Sequence, residues 1–359
     1  MNRLSALFTT MLVLVACGGD RQGGSDSANA QLSASSGVDL TGAGATFPYP
    51  LYSKWFSDYA QLKGVRINYQ SIGSGGGIRQ LSEQTVDFGA TDSPMTEEEM
   101  GRAKGGAVMH VPTVLGAVVI TYNVPGVTGS LRLTGEVIAD IFLGRITRWN
   151  DARIAALNPG VPLPASDILV VHRSDGSGTS YVFTDYLSAV SAAWRDGPSR
   201  GKEVRWPTGL GAKGNEGVAG QVKQTPGAVG YVELAYAQQN RLPVAAVRNQ
   251  SGNFVEPSIE SITSAAEGAM SDLGPGTDYR VSIVNPPGES AYPISSFTWI
   301  LLYRNPADQA KARKLVDFLR WAIRDGQQSA GTLHYAPLPA ALISQLETRL
   351  DSVRTGATS

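Results

Sequence analysis

The sequence has few of the residues that metal sites and disulfide frameworks require. Cysteine occurs once and histidine three times in 359 residues. A single cysteine excludes an internal disulfide, and the three histidines do not have the spacing of metal ligands. Charged residues make up only 17% of the chain, with 30 basic against 31 acidic. No basic excess exists to attract nucleic acid, so we expect no metal, no cofactor and no nucleic-acid partner.

Long apolar runs are also missing. No run reaches the roughly 18 residues that a membrane-spanning helix needs. The apolar run at 6–15 follows Arg3 and precedes the lone Cys17, a pattern typical of a bacterial lipoprotein signal. We therefore expect residues 1–16 to be a signal peptide, with acylated Cys17 starting a flexible Gly/Ser-rich tether over 17–37. A plain signal peptide with an incidental cysteine is the alternative.

From residue 38 onward, β-rich runs alternate with helical patterns. Strands are predicted at 65–69, 114–122, 168–171 and 228–232. Apolar residues at helical spacing predict helices at 51–59, 182–190, 315–323 and 342–350. This alternation predicts an α/β fold with mostly parallel sheets flanked by helices. Because the chain is longer than one hydrophobic core usually serves, two lobes are expected.

Three segments share one pattern, in which an extended run, a turn of glycines and hydroxyl residues, and a helix follow each other. They read TGAGATFP at 41–48, SIGSGGG at 71–77 and RSDGSGT at 173–179. A helix start presents unpaired N–H groups and a partial positive charge, which favour an anion. Glycines allow close backbone approach, and Ser and Thr add donors. One such turn is weak evidence because hydroxyl residues usually cap their own helices, but three together predict an anion site.

Arg173 ends an apolar strand, where a guanidinium needs a partner. Asp175 can pair with it, orienting the guanidinium while partly neutralising it. A purely structural ion pair is the alternative interpretation. The alternation of side chains along a strand directs His172 to the opposite face, where we expect it to pack.

Asp92 follows the extended segment VDFGAT at 86–91. Composition alone makes it a turn or cap residue. A carboxylate facing an anion becomes useful only if the anion carries a proton to donate. Phosphate carries one or two protons near neutral pH and sulfate carries none. An ionised Asp92 would therefore accept a hydrogen bond from phosphate and repel sulfate.

Motifs of enzymes are weak or missing. No serine lies in G-x-S-x-G. The segment GLGAKGN at 209–215 faintly resembles a phosphate-binding loop of NTPases but lacks the G-K-[ST] ending. Thr96 and Glu99 predict a capping box on a solvated helix. We therefore do not expect an enzyme.

The chain resembles the periplasmic phosphate-binding proteins that feed phosphate-specific ABC transporters. The resemblance spans 38 to about 350 and rests on these blocks: TGAGATFPYPLYSKW at 41–55, YQSIGSGGG at 69–77, VDFGATDSP at 86–94, RSDGSGTSYVFTDYL at 173–187, WPTGLGAKGNEGV at 206–218 and PGAVGYVELAYA at 226–237. It implies a two-lobed clamp of type II with two crossover segments, near 112–114 and 287–291. Lobe I would comprise 38–113 with 290–359, and lobe II would comprise 114–289.

The resemblance also implies which residues bind phosphate. These are Thr46, Phe47 through its backbone N–H, Ser74, Asp92, Arg173, Ser177, Gly178 and Thr179, with Asp175 supporting Arg173. The implied function is high-affinity phosphate binding and delivery to the transmembrane permease subunits of an ABC transporter. We expect a monomer in the periplasm of the bacterial cell envelope, held to a membrane only by the lipid anchor that the pattern at Cys17 predicts. A phosphatase on the same fold and a binding protein for another tetrahedral oxyanion, such as arsenate, are the alternatives.

Overall fold

The apolar stripes of the sequence become the buried faces of helices in the computed structural model, which describes residues 39–269 and 273–355. In the first helix, Leu51, Tyr52, Trp55, Phe56 and Tyr59 are buried, as their spacing predicts. The predicted signal peptide, Cys17 and the tether lie outside the described residues. None of the described helices is both long and apolar enough to cross a membrane.

The described strands are β1 (Leu40–Gly44), β2 (Ile67–Ser71), β3 (Phe88–Thr91), β4 (Val108–Tyr122), β5 (Arg132–Leu133), β6 (Leu169–Arg173), β7 (Leu210–Ala212), β8 (Ala228–Glu233), β9 (Ala246–Arg248), β10 (Phe254–Val255) and β11 (Ser295–Tyr303). The described helices are α1 (Tyr49–Lys63), α2 (Ser74–Ser82), α3 (Glu97–Gly101), α4 (Gly135–Phe142), α5 (Ala152–Leu157), α6 (Gly178–Val190), α7 (Ala192–Arg195), α8 (Gly214–Gln224), α9 (Leu234–Asn240), α10 (Ile259–Gly268), α11 (Gln309–Ile323) and α12 (Ala340–Leu350). Short 3₁₀ turns cover Pro275–Thr277, Asp325–Ser329 and Gly331–Leu333.

The main sheet has eight strands in the order β2-β1-β3-β11-β4-β8-β6-β7. Its two ends are parallel, because β1 pairs parallel with β2 and β3 while β6 pairs parallel with β7 and β8. The middle is antiparallel, where β11 joins β3 to β4 and β4 joins β8. The sheet is therefore mixed, and parallel pairing is confined to its ends. A second sheet orders β10-β9-β5.

Strand β4 links the two ends of the main sheet. Its residues 108–117 pair with β11, and its residues 118–122 pair with β8. All of its side chains are buried, as expected for a central strand covered on both faces. The predicted strand at 114–122 is confirmed at its end but begins too late, because β4 starts at Val108. This topology does not test the predicted lobe boundaries, which stay a prediction.

The other predicted elements are confirmed with small shifts. The helices predicted at 51–59, 182–190, 315–323 and 342–350 are α1, α6, α11 and α12. Helix α1 begins at Tyr49, directly after the turn at 41–48. Helices α6, α11 and α12 begin before the first apolar residue of their stripes, because their first turns carry mainly small or polar residues that the apolar pattern does not mark. The strand predicted at 65–69 lies at Ile67–Ser71, directly before the second glycine turn.

Candidate anion-binding site

Three strand–turn–helix units bring their turns together at the carboxyl ends of parallel strands. They are β1 with α1, β2 with α2, and β6 with α6. Strand β3, which pairs with β1, adds Asp92 immediately after its end. The carboxyl ends of β1, β2 and β3 lie at one edge of their parallel set. Strand β6 belongs to the second parallel set and runs antiparallel to the first, and its turn meets theirs through a hydrogen bond from the backbone N–H of Gly75 to the carbonyl of Gly176 at 2.8 Å. The structure thus places the glycine-rich turns and Asp92 at one location.

The start of α6 is built by Ser177 and Gly178. Ser177 is the N-cap, and its hydroxyl accepts a hydrogen bond from the backbone N–H of Ser180 at 2.9 Å. This is the capping role that hydroxyl residues ordinarily have. Both Ser177 and Thr179 are fully buried. The hydroxyl of Ser180 in turn contacts the phenol of Tyr231 at 2.6 Å, which anchors this turn to β8.

Arg173 ends β6 with its side chain buried and paired. Its Nε donates to Asp175 Oδ1 at 2.8 Å, and its Nη2 donates to Asp175 Oδ2 at 2.5 Å. Its Nη1 donates to Thr179 Oγ1 at 3.3 Å. The bidentate pair fixes the plane of the guanidinium and leaves its other edge toward the start of α6.

Electrostatics keep this pair ionised. Burial lowers the pKa of Arg173, but the hydrogen bonds and the charge of Asp175 outweigh burial and leave that pKa above its ordinary value. Burial also raises the pKa of Asp175, and Arg173 reverses the effect, so that this pKa lies below its ordinary value. The pair is therefore ionised at neutral pH, and its positive end faces the turn residues.

Thr46 and Thr179, from different units, meet through one buried amide. Asn215 Nδ2 donates to Thr46 Oγ1 at 2.7 Å and to Thr179 Oγ1 at 3.0 Å. Asn215 Oδ1 accepts from the backbone N–H of Glu233 at 2.9 Å. The backbone carbonyl of Thr46 accepts from the phenol of Tyr236 at 2.7 Å. This network joins the first unit to the third.

Ser74, Asp92 and Gly178 form a second junction. The backbone N–H of Asp92 donates to Ser74 Oγ at 3.2 Å. A Cβ atom at position 178 would lie 2.6 Å from Asp92 Oδ2 and 2.7 Å from Asp92 N. Glycine is required at 178 because the start of α6 approaches Asp92 and Ser74 this closely. The second unit and Asp92 thus contact the third unit.

Asp92 is buried, and its two carboxylate oxygens differ. Oδ1 accepts from Thr298 Oγ1 at 2.8 Å. Oδ2 is buried and has no hydrogen-bond partner among the residues that the structure describes. Burial raises the pKa of Asp92 to about 7, against the lowering effects of the Thr298 hydrogen bond, the Arg173 charge and the Ser74 hydroxyl. The side chain of Asp92 is not a local turn or cap group, because it accepts a hydrogen bond from Thr298 of strand β11, far away in the sequence.

The remaining predicted ligand is Phe47, which directly follows Thr46. Its ring is fully buried, and its carbonyl accepts from the phenol of Tyr335 at 2.6 Å. Pro48, the N-cap of α1, comes next. The structure therefore holds this backbone segment between α1 and the C-terminal part of the chain.

Other sequence patterns resolve into structural roles. Thr96 and Glu99 form the predicted capping box on α3. His172 stacks on Trp206 with ring centroids 4.9 Å apart, as its packing role predicts. Among the described residues, no group of three or more His, Cys, Asp or Glu could hold a metal ion.

The sequence reasoning missed Asn215 and Thr298. Asn215 lies in GLGAKGN, which faintly resembles an NTPase loop and belongs to the block at 206–218 that resembles phosphate-binding proteins, but neither resemblance marks it as a site residue. It stands at the start of α8, directly after β7, but this segment has no hydroxyl residue, so the pattern of the other three units does not mark it. Thr298 lies inside the buried strand β11, and no local signal marks it.

Comparison with known proteins reveals close relatives. A family model described as PBP superfamily domain matches residues 27–325. Over 311 residues the chain is 47% identical to the phosphate-binding protein PstS of Xylella fastidiosa (strain 9a5c), covering 86% of this chain and 84% of that protein.

Solved structures share the fold. A phosphate-binding protein from Stenotrophomonas maltophilia superposes with a TM-score of 0.65 at 21% identity, covering 86% of this chain and 93% of that one. A chain described as a phosphate ABC transporter substrate-binding protein, from Clostridium perfringens with bound phosphate, gives 0.59 at 18% identity, covering 84% and 99%. These likenesses confirm the predicted α/β fold of periplasmic binding proteins. By its family model and its sequence identity, the chain belongs to the PBP superfamily and to the PstS family of phosphate-binding proteins.

Proposed function

We propose that this protein binds inorganic phosphate without changing it chemically. The observation that carries the proposal is Asp92 Oδ2, a buried acceptor that has no partner in the described part of the chain, beside the donor-rich start of α6. A buried acceptor of this kind is costly unless a ligand supplies a proton to it. The names of the relatives, which are phosphate-binding proteins, support the same ligand.

The proposed ligands are the predicted ones: Thr46, Phe47, Ser74, Asp92, Arg173, Ser177, Gly178 and Thr179. Micromolar binding needs about −8 kcal/mol. Hydrogen bonds to a charged group contribute about 1.5–3 kcal/mol each, and a helix start adds about 0.3–1 kcal/mol or more where it is partly buried. Several hydroxyls, helix starts and one guanidinium therefore suffice at a net charge of only −1.

Asp92 sets the choice between oxyanions in this proposal. Phosphate donates a proton to Oδ2, whereas sulfate has none and would place two like charges in contact. Sulfate can bind only when Asp92 itself carries a proton, which costs free energy above the pKa of that carboxyl. Arsenate has the charge and protons of phosphate, so this carboxylate does not distinguish the two.

The histidines support binding rather than phosphate-ester hydrolysis. His110 contacts Asp278 at 2.8 Å and accepts from the backbone N–H of Met95, and His172 stacks on Trp206. Both ring nitrogens of His110 are occupied by these contacts, and His172 Nδ1 contacts the Arg173 carbonyl. Hydrolysis through a serine would instead need a histidine paired with its hydroxyl. Incubation with p-nitrophenyl phosphate should release no p-nitrophenol. Release in proportion to protein purity would overturn the binding-only function.

Delivery of phosphate to the permease subunits of an ABC transporter belongs to the same proposal. It is supported by family membership and by the C. perfringens chain of like fold, which is described as such a transporter's substrate-binding protein. We place the protein in the periplasm as a monomer, anchored by acylated Cys17 and closing two lobes on its ligand. Metabolic labelling with a palmitate analogue tests the anchor, because Cys17→Ser should abolish the label.

A further inference from the structure

We propose that Asn215 orients the hydroxyl hydrogens of Thr46 and Thr179, so that both hydroxyls can only donate to the bound ligand. The proposal rests on the proposed phosphate site and adds to it a positioning residue. Asn215 is fully buried and stands in the first turn of α8. Its side chain lies between two proposed ligands from different strand–turn–helix units.

The orientation of the amide follows from its partners. Oδ1 faces the backbone N–H of Glu233 at 2.9 Å, which can only donate. The amide nitrogen must therefore face the two threonines, and its two hydrogens are used one on each hydroxyl oxygen. A flipped amide would place two donors against each other at Glu233.

Each threonine oxygen then has both of its lone pairs occupied. Thr46 Oγ1 accepts from Nδ2 at 2.7 Å and from the backbone N–H of Asn215 at 3.3 Å. Thr179 Oγ1 accepts from Nδ2 at 3.0 Å and from Arg173 Nη1 at 3.3 Å. A hydroxyl has one hydrogen and two lone pairs. What remains on each oxygen is the hydrogen, which can only be donated.

The location of the ligand's proton follows from these fixed donors. Phosphate oxygens that face Thr46 and Thr179 must be unprotonated. A P–O–H group there would point its hydrogen at the hydrogen of a threonine hydroxyl, and neither group could accept. The proton of a dibasic phosphate is left for Asp92, whose Oδ2 accepts. A monobasic phosphate carries a second proton that these hydroxyls cannot accept. Asn215 thus favours the dibasic ion.

The test compares the protein with its Asn215→Ala variant by calorimetric titration with inorganic phosphate at about pH 9 and about pH 5, where phosphate is mainly dibasic and mainly monobasic. We expect the variant to bind at least about tenfold more weakly at the higher pH. We expect the loss at the lower pH to be at least about threefold smaller, since freed hydroxyls can turn and accept.

Protonation of nearby groups affects the phosphate affinity of the native protein and of the variant alike, so it does not account for a difference between them. The groups that face the cluster are Asp92, Arg173, Asp175, Glu233, Tyr236 and Tyr335. The substitution changes no charge, and all of these groups are present in both proteins. Asn158 is the matched control, because its side chain also donates two hydrogen bonds and accepts one. Its partners are Arg132 and Ile154, which are not proposed ligands. Asn158→Ala should leave phosphate affinity unchanged at both pH values.

A double-mutant cycle tests whether Asn215 acts through the hydroxyls. In a Thr179→Val background, Asn215→Ala should cost clearly less affinity than it does in the native protein, because one of its two targets is gone. Equal losses at both pH values, or additive effects in the cycle, would overturn the inference. If Asn215→Ala does not fold, Asn215→Ser serves, since it is smaller but polar. If the native protein itself does not bind phosphate, the proposed function fails instead.

Discussion

Arg173 and Asp92 are buried in the same site, but they meet the cost of burial differently. Arg173 has a bidentate partner in Asp175, so its charge is retained. Asp92 has one hydroxyl on Oδ1 and no partner on Oδ2 among the described residues. Its charge is therefore destabilised by desolvation, and its pKa rises to about 7. Of the two, Asp92 is therefore the one that takes up a proton near neutral pH.

Asp92→Asn should raise the stability of the ligand-free protein at high pH. The folded-state pKa of Asp92 is raised from 3.8 to about 7, so the folded protein binds this proton more tightly than the unfolded chain does. The resulting stability is present below about pH 4 and is lost as the pH rises to about 7, at a total cost of up to about 4 kcal/mol. Urea unfolding should find the variant more stable than the native protein at about pH 8, with the difference vanishing near pH 4.

Asp39→Asn provides a control of opposite sign. Hydrogen bonds from the Arg66 backbone and from Lys314 lower the pKa of Asp39, so its charge stabilises the folded state above the unfolded-state pKa. This variant should be less stable than the native protein at neutral pH, with the difference shrinking as the pH falls. If Asp92→Asn followed the same trend, Asp92 would not be destabilised by burial.

The same Asp92→Asn variant should relax the choice between oxyanions more than it weakens phosphate binding. Asparagine can donate a hydrogen bond to sulfate as well as accept one from phosphate. In competition titrations, the ratio of sulfate to phosphate dissociation constants should fall by at least about tenfold. Continued exclusion of sulfate would contradict the role assigned to this carboxylate.

At the scale of elements, the site is made of helix starts that follow parallel strands. This part of the site could be predicted from the sequence, because turn glycines, hydroxyls and the apolar runs around them are local signals. Family resemblance added the choice of ligand residues. Asn215 and Thr298 escaped prediction because their partners are remote: Asn215 meets Thr46 across 169 positions, and Thr298 meets Asp92 across 206. Contacts of that kind depend on strand order, which no local pattern specifies.

Sheet topology was also only partly predictable. The βα alternation predicts parallel pairing, and both ends of the sheet are parallel. The antiparallel middle arises because β11 returns late in the chain to pair between β3 and β4. Its sequence, SSFTWILLY, is a buried run that would suit either direction. The direction of β11 relative to β3 and β4 is therefore set by the order in which the chain connects the strands, and its own sequence does not specify it.

Gly178→Ala should abolish phosphate binding while the protein still folds. The added Cβ would lie 2.6 Å from Asp92 Oδ2, so the start of α6 must move away from Asp92 and Ser74. We expect affinity to fall at least about a hundredfold, since several hydrogen bonds to the anion would be lost together. Calorimetry measures the affinity, and circular dichroism establishes that the variant is folded.

Gly220 is the matched control within a helix. A Cβ atom there meets nothing within 4 Å, and alanine is the better helix former by about 1 kcal/mol. Gly220→Ala should therefore be as stable as the native protein or more stable, with unchanged affinity. Native affinity in Gly178→Ala would show that the close approach at 178 does not shape the site.

At the scale of the whole molecule, contacts join residues assigned to the two proposed lobes. The backbone N–H of Gly75 donates to the carbonyl of Gly176 at 2.8 Å. Lys202 Nζ lies 2.6 Å from Glu99 Oε1, and their side chains are 17% and 25% exposed. If the lobes separate on ligand release, these contacts break. They would then contribute to the closed state only.

Lys202→Ala should therefore speed phosphate release. An ion pair of this exposure contributes up to about 1 kcal/mol, so we expect affinity to fall about two- to fivefold, mostly through faster dissociation. Stopped-flow release kinetics measure this. Lys104 is the control, because its pair with Glu83 lies within proposed lobe I and both side chains are more than half exposed. Equal effects of Lys202→Ala and Lys104→Ala would contradict a closing role for the Lys202–Glu99 pair.

The central claim is that a buried carboxylate selects a protonated oxyanion, and calorimetric titration of the purified protein with phosphate and with sulfate tests it most directly. At about pH 9, two units above the Asp92 pKa of about 7, phosphate should bind with one-to-one stoichiometry and sulfate at least about a hundredfold more weakly. The gap should narrow as the pH falls toward about 6 and Asp92 takes up a proton. Equal binding of the two anions at the higher pH would contradict the account.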